Sequence, residues 1–301
     1  MSVRFDIHHV TTCQYGAPMR FARCNLRLHP IDWDGQRVIS HNVSVEPDGI
    51  MKPAPARGSL SNLSRLIVSS TTRRLDITSD AHVQIDRAVP LILDSDLTIA
   101  EVAALARLSH DVSDPSPANF LYPSPRIKAD PAIAAWASDT LQPDRPALAA
   151  GLDLARKIAR EFRFDPDATK TETLPREAFD ARAGVCQDFA QIMICALRSV
   201  GLPAAYVSGY IRTIPPPGQV RLQGADAMHG WVLLWCGPKD QRGGRGWIGL
   251  DPTNAILMAG DHIIVAIGRD YKDIAPIEGI FTGSGAQKVS VAVDVVPVFG
   301  D

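Results

Sequence analysis

Three residues could together perform nucleophilic chemistry: Cys186, His229 and Asp251, spaced 43 and 22 residues apart. A thiol attacks as its thiolate. Placed at the first turn of a helix, it gains from the positive end of the helix dipole and from unpaired N–H groups that can also stabilise an oxyanion. Cys186 stands at such a place. Between it and Val200 the apolar residues Phe189, Ile192, Met193, Ala196, Leu197 and Val200 recur at helical spacing, and Gly201 and Pro203 supply the stop. Arg182, Gly184 and Val185 precede the helix and allow the tight approach of a turn, while Asp188 reads as a residue of the cap region. A base must come from the eight histidines. His229 heads the run Met228-His-Gly-Trp-Val-Leu-Leu-Trp, whose alternation sets His229, Trp231, Leu233 and Trp235 on one strand face. Asp251 closes the run Gly246-Trp-Ile-Gly-Leu-Asp just before a proline. Neighbouring strands would then hold the imidazole between thiol and carboxylate, the arrangement of a Cys-His-Asp triad. Tyr210 and Trp231 are the expected substrate contacts.

The rest of the composition narrows the chemistry. Lysine and arginine number 31 against 33 acidic residues, a net charge of −2 with no run of one sign. That balance excludes nucleic acid or an anionic membrane as principal partner. The five cysteines are odd in number and form no C-x-x-C pair, which argues against a disulfide framework or structural zinc and for a reducing compartment. Cys195 and Cys236 lie within apolar runs and read as core. His8, His9 and Cys13 match no common metal-ligand spacing, and no acidic loop with calcium-ligand spacing is present. No phosphate-cradling glycine motif occurs. No cofactor and no metal are therefore expected. The first residues interleave polar and charged groups where a secretory signal needs an apolar core, and no apolar run reaches the roughly 18 residues of a spanning helix. The expectation is a soluble, cytoplasmic protein acting on a protein or peptide substrate; its oligomeric state is left open.

These residues need elements to position them. From residue 3 to about 90 short β-rich runs (Val3 to Val10, Val38 to Val45, Leu63 to Thr71, Ala81 to Ile85) alternate with turn clusters such as Glu46-Pro-Asp-Gly. That pattern predicts an antiparallel sandwich or partial barrel over residues 1–90. A connector with helices, carrying Pro115, Pro117, Pro123, Pro125 and Pro131, fills 91–145. Residues 146–301 form the expected catalytic part: a helix from Pro146 to Phe164, the Cys186 helix, and strands at Ala204 to Arg212, Met228 to Cys236, Gly246 to Asp251 and Lys288 to Val298. The loops between these strands contain Pro215-Pro-Pro-Gly and Gly243-Gly-Arg-Gly. The class is α+β, with helices packed on an antiparallel sheet behind a β-rich N-terminal domain.

Several separated motifs occur in order: Arg182-Ala-Gly-Val-Cys-Gln-Asp-Phe-Ala, Leu197-Arg-Ser-Val-Gly-Leu-Pro, His229-Gly-Trp-Val, Gly249-Leu-Asp-Pro-Thr-Asn, Asp261-His-Ile and Gly268-Arg-Asp-Tyr. Over roughly residues 150 to 300 the chain resembles the microbial transglutaminase-like proteins. Leu26-Arg-Leu-His-Pro resembles the β-rich domain that precedes the catalytic domain in many of them. The resemblance implies a papain-like α/β core with a triad at Cys186, His229 and Asp251. It also implies acyl transfer or hydrolysis on protein or peptide amides through a thioester, as in a protease, an amidase or a cross-linking enzyme. A catalytically silent binding module of the same fold is the alternative. One departure is Gly230, where members often carry alanine; another is Leu233, where they often carry an acid. Both bear on substrate preference.

Overall fold

The computed structural model describes residues 2–56, 58–213, 224, 226–240 and 242–298. The loop expected at Pro215-Pro-Pro-Gly lies outside them. Six strands come first: β1 (Val3–Met19), β2 (Phe21–His29), β3 (Gln36–Glu46), β4 (Ile50–Ala54), β5 (Leu60–Val68) and β6 (Thr72–Ile85). Helices α1 (Ile99–Arg107), α2 (Pro131–Ala137) and α3 (Ala147–Glu161) follow, then β7 (Arg163–Phe164), α4 (Pro175–Ala181), β8 (Ala183–Gly184) and α5 (Cys186–Ser199). The chain continues through β9 (Ala204–Ile211), β10 (Ala227–Trp235), β11 (Trp247–Asp251), β12 (Ile256–Leu257), β13 (His262–Gly268), β14 (Ile277–Thr282) and β15 (Gln287–Val298).

The architecture is α+β and dominated by two antiparallel sheets. One has four strands in the order β15-β1-β6-β3. The other has nine: β12-β11-β10-β9-β13-β5-β2-β14, with β4 also paired to β5. The strands that carry His229 and Asp251 are thus continuous, through the pairing of β13 with β5 at Ala266↔Ser61 and Ile267↔Leu60, with strands from the start of the chain. The chain end returns as well, since β14 pairs with β2 and β15 with β1. Tail strands sharing sheets with N-terminal strands brace the site from both ends of the sequence.

Burial explains the layers. Helix α5 is buried from Asp188 to Leu197, consistent with apolar residues around most of its circumference. With α3 it packs on the face of the large sheet that carries Tyr206, Val232, Leu234 and Leu250. Further along β9, Tyr210 packs with Ile263 and Val265 against the inner face of the four-stranded sheet, where Phe5, Ile7, Val83, Ile85, Val293 and Val295 meet it. Helices therefore cover the start of β9 and the smaller sheet covers its end. Strand β1 runs beyond the expected Val3 to Val10, because its inward positions continue with His9, Thr11, Cys13 and Tyr15, whose mixed polarity hides the alternation. Gly201, at φ 81°, ends α5 in the left-handed region that a side chain disfavours.

Candidate active site

The chain reaches Cys186 through a strained approach. Arg182 adopts φ 50° in the left-handed region, and Gly184 follows where a Cβ would lie 2.6 Å from Asp188 Oδ2. The missing side chain lets the Asp188 carboxylate fold back over the helix start. There Oδ2 accepts from the Val185 N–H at 2.9 Å and from the Thr169 hydroxyl at 2.7 Å. Burial raises the Asp188 pKa, against the lowering effect of these two bonds. Asp188 is thus the anchor of the turn that sets Cys186 at the first residue of α5. Thr169 carries no sequence signal for this role.

On β10, His229 is buried and its Nε2 lies 2.8 Å from Asp251 Oδ2. With Nε2 engaged by the carboxylate, Nδ1 is left for the sulfur of Cys186. Burial disfavours the imidazolium most strongly among the influences on His229, yet its hydrogen bonds to Asp251 and Cys186 outweigh that and push its pKa up to about 10. Asp251 is fully buried, and the same logic runs in reverse. Burial opposes its charge, but hydrogen bonds from His229, His262 and Asn254 hold its pKa well below the usual carboxylate range.

The carboxylate is saturated with donors. Oδ1 accepts from the backbone N–H of Thr253 at 2.9 Å and of Asn254 at 3.1 Å, a local turn that the motif Asp-Pro-Thr-Asn favours. Oδ2 accepts from Asn254 Nδ2 at 2.7 Å and from His262 Nε2 at 3.1 Å, besides His229. The Ala259 N–H donates to His262 Nδ1 at 3.4 Å, which assigns the proton of His262 to Nε2. His262 was visible in sequence only as part of Asp261-His-Ile, with no role attached. Among the described residues, His229, Asp251 and His262 are the group whose ligand atoms, within 4.8 Å of one another, could hold a metal. Both imidazoles already bond one shared oxygen, so an ion there would have to break both contacts.

The two expected substrate contacts stand elsewhere. Trp231 is fully buried; its ring stacks on His229 at 5.9 Å between centroids and meets His262 edge-on at 5.2 Å. Gly209, opposite His229 across the β9–β10 ladder, makes this possible, because a Cβ there would lie 2.5 Å from the indole. Tyr210 is fully buried too, and its hydroxyl lies 2.9 Å from His9 Nδ1. Both aromatics brace the site from behind rather than face its opening. Tyr206, which sequence reasoning passed over, does line it. Its hydroxyl occupies the space a side chain at position 230 would need: a Cβ on Gly230 would lie 2.3 Å from it. The departure from alanine at that position therefore has a steric reason.

The cleft in front of Cys186 and His229 has a volume of about 340 Å³. A larger cavity of about 470 Å³, lined by Trp33, Trp235, Trp247 and several prolines, lies at the opposite end of β10 from His229, and no cysteine or histidine is among its described lining residues. Trp247 is held there by donating to the Pro115 carbonyl at 3.0 Å.

The transglutaminase-like superfamily core matches residues 134–252, and the bacterial transglutaminase-like N-terminal region matches residues 5–84. Uncharacterized proteins of Mycobacterium bovis and Mycobacterium tuberculosis are 35% identical over 296 residues, covering 97% of this chain and 90% of theirs. The chain belongs to the transglutaminase-like superfamily. A protein-glutamine gamma-glutamyltransferase of Pseudomonas aeruginosa is 33% identical over 93 residues, 31% of this chain and 13% of that protein. Among solved structures, one from Cytophaga hutchinsonii titled as a cysteine protease candidate superposes with a TM-score of 0.75 at 20% identity, covering 100% of this chain and 92% of that one. That likeness concerns the fold. Among the described residues no helix of this transglutaminase-like chain is long and apolar enough to cross a membrane.

Proposed function

We propose that this transglutaminase-like protein is a cysteine-dependent enzyme that forms a thioester from protein or peptide amides and passes the acyl group to water or to an amine. The observation that carries the reading is the His229–Asp251 contact of 2.8 Å beside Cys186, at the first turn of α5 in an open cleft. In this reading His229 Nδ1 takes the thiol proton, and the thiolate adds to the amide carbonyl. The Cys186 and Gln187 amides, which precede the first α5 bonds from Asp188 and Phe189 to the Val185 carbonyl, stabilise the oxyanion. The imidazolium then returns its proton to the departing nitrogen as the C–N bond breaks, leaving the acyl group on sulfur. Asp251 holds the imidazole orientation and its positive charge. Water or an amine next attacks the thioester while His229 accepts the attacking proton, and the thiol is restored. All five cysteines are unpaired, which suits a reducing, cytoplasmic setting.

The test is mass spectrometry of the full chain after brief exposure to a blocked peptide library, with Cys186→Ala in parallel. The expected result is an acyl adduct on residue 186 of the wild type alone. Wild-type protein that carries no adduct at this position, although it is folded and its thiol is free, overturns the reading.

A further inference from the structure

The wall facing Cys186 across the cleft comes from the four-stranded sheet. His9 and Thr11 of β1 and Val289 and Val291 of β15 line the same space as Cys186, His229 and Tyr206. In register, Thr11 lies opposite Val291 and His9 opposite Val293, so these side chains continue the inner face whose buried part holds Ile7, Val293 and Val295. Past Val293 that face stops being covered: Val289 and Val291 are 54% and 50% exposed. Strand β15 is the edge of its sheet, so no strand among the described residues lies beyond it.

Among the described residues no aspartate, glutamate, lysine or arginine lines the cleft. His9, the other titratable imidazole there, is locked between the Tyr210 hydroxyl at 2.9 Å and the Thr11 hydroxyl at 2.8 Å. Burial first, and neighbouring His8 second, lower its pKa to about 4, so it is neutral near pH 7. Apolar side chains left bare beside a nucleophile, in a cleft whose described lining carries no carboxylate, ammonium or guanidinium group, define the ligand by chemistry.

We propose that the sheet formed by β1 and β15 is the substrate-selecting wall of the active-site cleft, and that it takes an extended peptide whose side chain next to the reacting amide is apolar, packed on Val289 and Val291. The inference rests on the thioester reading above and adds the substrate class. It also gives the N-terminal strands a role: they complete the site. Tyr210 serves as a positioning residue that fixes His9 in the wall.

Two blocked peptide pools test this, identical except that the residues flanking each carboxamide are Leu, Val and Met in one and Asp and Lys in the other. Rates of Cys186 acylation by the full chain are read by mass spectrometry. The wild type is expected to prefer the apolar pool by at least about 10-fold, the discrimination that an apolar pocket commonly achieves. Val291→Asp is expected to bring the ratio of the two rates close to one, and Val291→Ile to keep it. Because the readout is a ratio within each protein, partial loss of folded material leaves it unchanged. Equal wild-type rates for the two pools, or a Val291→Asp ratio as large as that of the wild type, overturns the selecting wall while the thioester reading stands. No adduct from either pool overturns both.

Discussion

Adding one methyl group at position 230 probes the packing that places Tyr206 in the cleft. The Cβ of Gly230→Ala would lie 2.3 Å from the Tyr206 hydroxyl oxygen and 3.0 Å from Cζ. Ordinary contact begins near 3.4 Å, so the hydroxyl must retreat by about 1 Å. Tyr206 is buried and its ring packs edge-on against Tyr271 at 6.1 Å, which leaves little room to move. Overpacking of this kind costs about 1–3 kcal/mol. Tyr206→Phe in the same background removes the 2.3 Å contact but leaves the 3.0 Å one, so relief should be partial, with a coupling energy of about 1 kcal/mol. Urea unfolding of wild type, Gly230→Ala, Tyr206→Phe and the double variant completes the cycle, and acylation rates on the same four proteins report whether the displaced phenol disturbs the cleft. Gly230→Ala is expected to slow acylation as well as lower stability. If Gly230→Ala lies within about 0.5 kcal/mol of wild type, or if the two substitutions are simply additive, the steric account of Gly230 is wrong.

Two further outcomes follow from the carboxylate network. His262→Phe deletes one donor to Asp251 Oδ2, which should cost about 1–3 kcal/mol of stability. Because His262 helps to hold the Asp251 pKa down, the loss of stability on acidification should also move to higher pH; an unchanged acid limb would contradict the assigned proton on His262 Nε2. The pKa of His229 is raised in the fold from 6.5 to about 10, so its charged form stabilises the native state. That contribution is fully present below pH 6.5 and lost as pH rises through about 10, whereas Asp251, with its pKa depressed, contributes above its ordinary 3.8 and loses this as pH falls. The difference in unfolding free energy between wild type and His229→Gln should therefore shrink as pH rises from 6.5 to 10, and a flat difference refutes the pairing.

Much of the arrangement was legible in the chain because it is written in local pattern. Apolar residues at helical spacing, closed by Gly201 and Pro203, locate α5 and so the place of Cys186 at its start. Alternation around His229 locates β10, and the turn chemistry of Asp-Pro-Thr-Asn ends β11 at Asp251. Each of these signals lies within a few residues of the one it places. The remaining features depend on contacts between distant segments, which no local period encodes. His262 reaches Asp251 from a separate strand, and Thr169 reaches Asp188 from an irregular segment. Trp231 and Tyr210 carry residue types suited to substrate contact, yet which face each strand buries is decided by the sheet and helices laid against it, and both became fully buried supports. The extension of β1 past Val10 has the same cause as the cleft wall. His9 and Thr11 break the apolar alternation at inward positions, where a packed core would demand apolar groups. Only the tertiary structure shows that this part of the sheet is polar because it borders the space in front of Cys186.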